Sequence, residues 1–133
     1  IGVKDSSYNL FQDLKLENFS VLPGSESKLL NGLELGCSGI ITATCNVTAE
    51  LARKVYDDFI SQNEQTVNQK LCDVRSSFEK YNLISALHTY YAKYNQSYLN
   101  VLPPLSILNS QDKNELIKNL EKLNFSINSL MAA

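Results

Sequence analysis

The sequence predicts an α/β fold in which a small parallel sheet, covered by helices, passes into an all-helical extension. Three observations predict it. Short apolar runs alternate three times with stretches of helical periodicity. Each run is too short for a core helix and too continuous for an antiparallel strand with one wet face, which is the pattern of a strand buried on both sides. From about Gln62 onward the strand signal stops while the helical signal continues.

Taken in order, Ile1-Gly2-Val3 reads as a first strand, followed by Leu10 and Leu14 at helical spacing. Phe19 to Leu22 reads as a second strand, and Leu29, Leu30 and Leu33 form the apolar stripe of the helix after it. Gly39-Ile40-Ile41 reads as a third strand, with Leu51, Val55 and Phe59 on its helix and Asn46 or Thr48 available as the cap. Pro23-Gly24 and Leu35-Gly36 fall where turns are required. Two amphipathic helices follow, one carrying Val67, Leu71, Val74 and Phe78 and the other Ile84, Leu87, Tyr91 and Tyr94. Pro103-Pro104 enforces an extended stretch before a last helix, capped by Ser110 and buried along Leu116, Ile117, Leu120 and Leu123. No flexible linker interrupts this order, so residues 1–61 and 62–133 are expected to form one compact domain, strand-helix units first and helical extension second.

Composition narrows the function classes. Hydrophobic residues at 44% and charged residues at 20% are globular values, which argues against disorder. A formal charge of −2 supplies no electrostatic footprint for nucleic acid or an anionic membrane. No apolar run approaches the ~20 residues that cross a bilayer, and no signal peptide opens the chain, so a cytoplasmic protein is expected. Cys37, Cys45 and Cys72 lack Cys-x-x-Cys spacing and read as reduced thiols. Four Asn-x-Ser/Thr triplets, at Asn18, Asn46, Asn95 and Asn124, matter only in a secreted chain. His88 is the single histidine and has no metal-spaced partner, so no metal site is expected. Tyr81, Tyr90, Tyr91, Tyr94 and Tyr98 read as helix packing or a subunit contact. The chain starts with Ile inside an apolar run, without a cap or turn, and reads as a piece of something longer.

In parallel barrels the functional residues lie at the C-terminal ends of the strands, where the loops converge. That rule selects Lys4-Asp5-Ser6-Ser7, Gly24-Ser25-Glu26 and Thr42-Ala43-Thr44, spaced by roughly twenty residues. Lys4 is the sharpest candidate. At the end of a buried strand it would be partly desolvated and so biased toward the neutral amine that attacks a carbonyl, with Gly2 leaving room beside it. The plainer alternative is a solvated lysine that ends a strand, and for Gly24 and Ser25 it is turn and cap chemistry.

Ile1-Gly2-Val3-Lys4-Asp5-Ser6-Ser7, Leu22-Pro23-Gly24-Ser25-Glu26 and Gly39-Ile40-Ile41-Thr42-Ala43-Thr44-Cys45-Asn46-Val47 resemble, in order and spacing, successive motifs of the dihydrodipicolinate synthase and N-acetylneuraminate lyase family. Phe78-Glu79-Lys80-Tyr81, Ser85-Ala86-Leu87 and Leu102-Pro103-Pro104-Leu105 resemble its C-terminal helical segment. The resemblance implies a partial (β/α)8 TIM barrel, its last three βα units, followed by a C-terminal helical extension. It implies that Lys4 forms an imine with pyruvate or a related keto acid, whose enamine adds to an aldehyde or arises by the reverse cleavage; this is class I aldolase chemistry and needs no cofactor. Gly24, Ser25 and Glu26 match a stretch facing the substrate, Ile41 matches an apolar contact beside the imine, and Thr42 and Ala43 extend that wall. The family's Gly-Thr-Thr-Gly-Glu loop and its proton-relaying strand tyrosine have no counterpart in this chain, and Tyr8 stands where many members carry a small residue. The chain by itself is therefore expected to be inactive and, with open sheet edges, to form a homo-oligomer. The competing expectations are a non-catalytic half-barrel stabilised by oligomerisation and a small carboxylate- or sugar-binding protein.

Overall fold

The computed structural model describes residues 1–127. The chain divides into two compact units, Ile1–Arg75 and Ser76–Ala133.

In the first unit, β1 (Gly2–Asp5) and β2 (Ser20–Pro23) form a parallel pair in which Lys4 lies opposite Leu22 and Asp5 opposite Pro23. Gly2 makes the pairing possible, because a Cβ there would sit 2.4 Å from the Ser20 carbonyl oxygen. The room that glycine leaves is thus taken by the neighbouring strand, not kept free beside Lys4. β2 stops at a proline, and Ser25 caps the tight turn Glu26–Lys28 by accepting from the Ser27 N–H at 3.4 Å. α1 (Leu29–Glu34) follows and buries Leu29 and Leu33. Its C-terminus closes with the Cys37 N–H on the Gly32 carbonyl (2.8 Å) and the Gly36 N–H on the Leu33 carbonyl (3.0 Å). That closure requires the positive φ of 85° at Gly36, a backbone that glycine adopts without penalty.

Two expected elements are replaced. The helix anticipated at Leu10–Leu14 is a single turn, with the Leu14 N–H on the Leu10 carbonyl at 2.8 Å. The Asp5 carboxylate accepts the Leu10 and Phe11 N–H groups, each at 3.0 Å, and folds the chain into a loop instead. Gly39-Ile40-Ile41 runs beside β2 through two hydrogen bonds, Ser38 N–H to Val21 O (3.4 Å) and Ile41 N–H to Pro23 O (3.1 Å), without becoming a strand. Gly39, at φ 143°, leaves the extended conformation a continuous ladder needs. The described sheet therefore has two strands, and the number of βα units expected from the sequence is not reproduced.

α2 (Cys45–Ile60) starts earlier than the proposed caps, so Asn46 and Thr48 lie inside its first turn; Thr42 accepts the Cys45 N–H at 3.2 Å instead. α2 buries Val47, Thr48, Ala52, Val55 and Asp58. Ala52 and Val55 meet Leu29, Leu33 and Leu71 in one core, and Phe11, Val21 and Cys37 form another under the loop after β1. α3 (Asn68–Glu79) contributes Leu71 and Val74, both fully buried.

The second unit contains α4 (Leu83–Tyr91) and α5 (Ser110–Lys122). Asn82 caps α4 by accepting the Ile84 and Ser85 N–H groups, each at 3.1 Å. Asn109, one residue before the expected Ser110, caps α5 by accepting the Asp112 N–H at 2.9 Å. Phe78, Ala86, Leu87, Tyr90, Leu116, Leu120 and Ile127 are buried there. Tyr90 stacks on Phe125 and meets Phe78 edge-on, and Tyr91 stacks on Tyr98 at 4.8 Å, so the tyrosines are packing residues of this unit.

Candidate active site

The parallel register brings the ends of β1 and β2 to one edge. Gly24 continues the parallel ladder beyond β2 by donating its N–H to the Asp5 carbonyl at 2.9 Å, while the Pro23 backbone faces the opposite side. A Cβ at Gly24 would stand 3.5 Å from Lys4 Cε, so the lysine stem lies against the turn after β2. The Ile41 N–H joins from the other side through the Pro23 carbonyl. Lys4, Gly24 and the Ile41–Ala43 segment thus share one edge of this unit.

Their surroundings differ from one another. Lys4 is exposed, and Ile41 is 49% exposed; the desolvation expected at Lys4 is not found, because β1 pairs on only one side among the described residues and leaves the lysine facing water. Gly24, Thr42 and Ala43 are half-buried. Ser25 and Glu26 turn inward and are buried. Glu26 Oε1 accepts the hydroxyls of Thr42 (2.7 Å) and Thr48 (2.9 Å), while Oε2 faces Arg75 Nη1 at 3.4 Å. Arg75 also donates to Thr44 Oγ1 at 2.9 Å. The carboxylate is therefore occupied within the unit, tying the turn after β2 to the start of α2 and to α3.

Sequence reasoning missed Arg75, and it read Thr44 as a strand-end residue and Thr48 as a helix cap rather than as partners of this buried pair. The signal for Arg75 was present: it lies four residues after Leu71 and three before Phe78, on the apolar stripe of α3, and a buried guanidinium demands a carboxylate. Nothing local pointed to Glu26, 49 residues away, as that carboxylate.

Asp5, next to Lys4, is 1% exposed. Burial by itself would raise its carboxyl, but the N–H groups of Leu10, Phe11 and Tyr8 and the Ser7 hydroxyl outweigh that and hold it below the ordinary carboxylate value. The same loop explains the departure at Tyr8. Its φ is 58°, a left-handed backbone where a small residue is less strained, and here its ring is half-buried against the cluster around Phe11 and Val21.

Burial pushes the thiols of Cys37, Cys45 and Cys72 up, as expected of inert side chains, and all are free. His88 is half-buried, its Nδ1 2.9 Å from the Tyr98 carbonyl. Among the described residues no group of three or more His, Cys, Asp or Glu side chains could hold a metal, and no helix is long and apolar enough to cross a membrane. A shallow hollow on the outer face of α2, among Ala49, Glu50, Arg53, Lys54 and Asp57, shares no residue with the strand ends.

A small parallel sheet with helices, and a lysine at a strand's C-terminal end, make this an α/β protein. Residues 1–123 match the model of the dihydrodipicolinate synthetase family, and the chain belongs to that family. It is 29% identical over 112 residues to the 2-dehydro-3-deoxy-D-gluconate/2-dehydro-3-deoxy-phosphogluconate aldolase of Picrophilus torridus, an alignment covering 78% of this chain and 42% of the aldolase. Among solved structures it superposes on dihydrodipicolinate synthase from Aquifex aeolicus with a TM-score of 0.82 at 20% identity, over 96% of this chain and 46% of the synthase. It superposes on YagE, a family member from E. coli K12 solved with pyruvate, with a TM-score of 0.80 at 21% identity, over 95% of this chain and 47% of that one. The chain spans a little under half the length of these relatives.

Proposed function

We propose that this chain supplies the C-terminal part of a Schiff-base aldolase, lyase or synthase acting on pyruvate or a related 2-keto acid and an aldehyde. In this reading residues 1–61 are the last three βα units of the barrel, residues 62–133 are its helical extension, and Lys4 is the imine-forming amine. The observation that carries it is the placement of Lys4 at the end of β1, against Gly24 and on the same edge as Ile41–Ala43, in a chain of this family.

The Lys4 amine attacks the keto carbon, and loss of water leaves an imine. The imine withdraws electrons, so a proton leaves the adjacent carbon and the resulting enamine forms a bond to the aldehyde carbon; hydrolysis then frees the product and regenerates the amine. Gly24, Ile41, Thr42 and Ala43 would wall the substrate, while Ser25 caps the turn behind the wall and Glu26 holds it through inward hydrogen bonds. The remaining barrel strands would cover Lys4, which is exposed in the described unit, and supply the carboxylate-binding loop and a proton relay. We further propose a soluble, cytoplasmic homo-oligomer.

Treatment with pyruvate and borohydride, followed by peptide mapping, tests the assignment. A reduced pyruvyl adduct on the peptide containing Lys4 is the expected result. An unmodified Lys4 at saturating pyruvate, in a protein carrying the complete barrel, rules the assignment out.

A further inference from the structure

Four side chains from separate stretches of the first unit close into a ring of hydrogen bonds. Arg75 Nη1 donates to Thr44 Oγ1 at 2.9 Å, and Thr44 Oγ1 meets Thr42 Oγ1 at 3.2 Å. Thr42 donates to Glu26 Oε1 at 2.7 Å, and Arg75 Nη1 also reaches Glu26 Oε2 at 3.4 Å. The ring runs in one direction. A guanidinium only donates and a carboxylate only accepts, so the Thr42 proton points to Glu26, and the Thr44 hydroxyl, which accepts from Arg75, donates to Thr42. The Cys45 N–H, at the start of α2, takes the remaining lone pair of Thr42 at 3.2 Å. One proton and two lone pairs are all that a threonine hydroxyl has, and all three are used.

We propose that Thr42 is a positioning residue, which ties the Ile41–Ala43 wall to the Glu26–Arg75 pair and makes no hydrogen bond to the substrate. This rests on the strand ends being the site of the Lys4 imine. The backbone on either side of Thr42 is held as well. The Ile41 N–H lies on the Pro23 carbonyl at 3.1 Å, and the Ala43 carbonyl accepts the Asn46 N–H at 3.2 Å and the Asn46 side-chain amide at 2.8 Å. The neighbouring side chains left to meet a substrate are apolar, Ala43 and the 49% exposed Ile41.

The test uses the protein carrying the complete barrel, saturated with pyruvate, and two acceptors of equal length: glyceraldehyde, which carries hydroxyls, and propanal, which carries none. Thr42→Val keeps the volume and removes the hydroxyl, and Thr42→Ser keeps the hydroxyl. Displacing a reacting group by about an ångström costs on the order of 10²-fold, so Thr42→Val should lower kcat/KM for both acceptors by one common factor, about tenfold or more. Thr42→Ser should restore it. A direct contact has a different signature, in which glyceraldehyde alone loses about tenfold and propanal is spared. That result overturns the proposal, as does a folded Thr42→Val protein with wild-type kinetics on both acceptors.

Amide exchange gives a readout that needs no turnover. The Cys45 N–H should exchange about tenfold faster in Thr42→Val and at the wild-type rate in Thr42→Ser. Unchanged exchange in Thr42→Val overturns the proposal. Should Thr42→Val not fold, Thr42→Ala replaces it in both measurements. Should Lys4 of the wild type not be trapped by pyruvate and borohydride, the imine reading fails separately, and amide exchange alone decides whether the Thr42 hydroxyl is committed to the wall.

Discussion

Asp5 shows how one side chain sets the path of several others. Its carboxylate is buried yet ionised, because a cluster of donors from the following loop converges on it. Its folded-state pKa is lower than its unfolded value of about 3.9. The stability it contributes is therefore complete above that value and is lost as pH falls through the folded value. Asp5→Asn keeps the shape and removes the charge, which should lower stability at neutral pH by about 1 to 3 kcal/mol. It should also flatten the acid limb of the stability curve, and urea titrations between pH 7 and pH 3 measure both. An acid limb as steep as that of wild type would show that the carboxylate does not anchor the loop.

At the scale of elements, the turn after β2, the start of α2 and α3 are joined through Glu26 and Arg75. Removing one member of a buried pair leaves an uncompensated charge and typically costs about 3 to 5 kcal/mol. Arg75→Met should show a loss of that size in chemical denaturation, and Glu26→Gln combined with Arg75→Met should recover part of it. Additive single effects would mean that the two side chains act independently.

This layer also shows what a sequence can and cannot disclose. α3, α4 and α5 were legible because their apolar residues step by three and four, and the two strands because their runs end in turn residues. The missing helix at Leu10–Leu14 was not, since its apolar spacing is correct and only the Asp5 carboxylate redirects the chain. The third strand failed at Gly39, whose φ no periodicity reports. At the candidate site the three separated segments share one edge, but the inward turn of Glu26 depends on an arginine far along the chain.

On the scale of the molecule, β1 leaves one edge unpaired among the described residues, and Ile1, Leu16 and Ile41 are exposed. Surfaces of that kind associate. Sedimentation velocity at micromolar concentration should report a homo-oligomer, and a compact monomer would count against the proposed assembly.

Dissolved ions reach the charged groups of this protein unequally. Arg53 with Asp57 and Lys80 with Glu115 sit half or more in water, where mobile ions at 0.1 M screen fields over about 10 Å. Glu26 and Arg75 sit where no counterion can follow. Concentrated salt would therefore quiet the outer pairs and leave the inner one at full strength, so the turn behind Lys4 keeps its shape in brine as in dilute buffer.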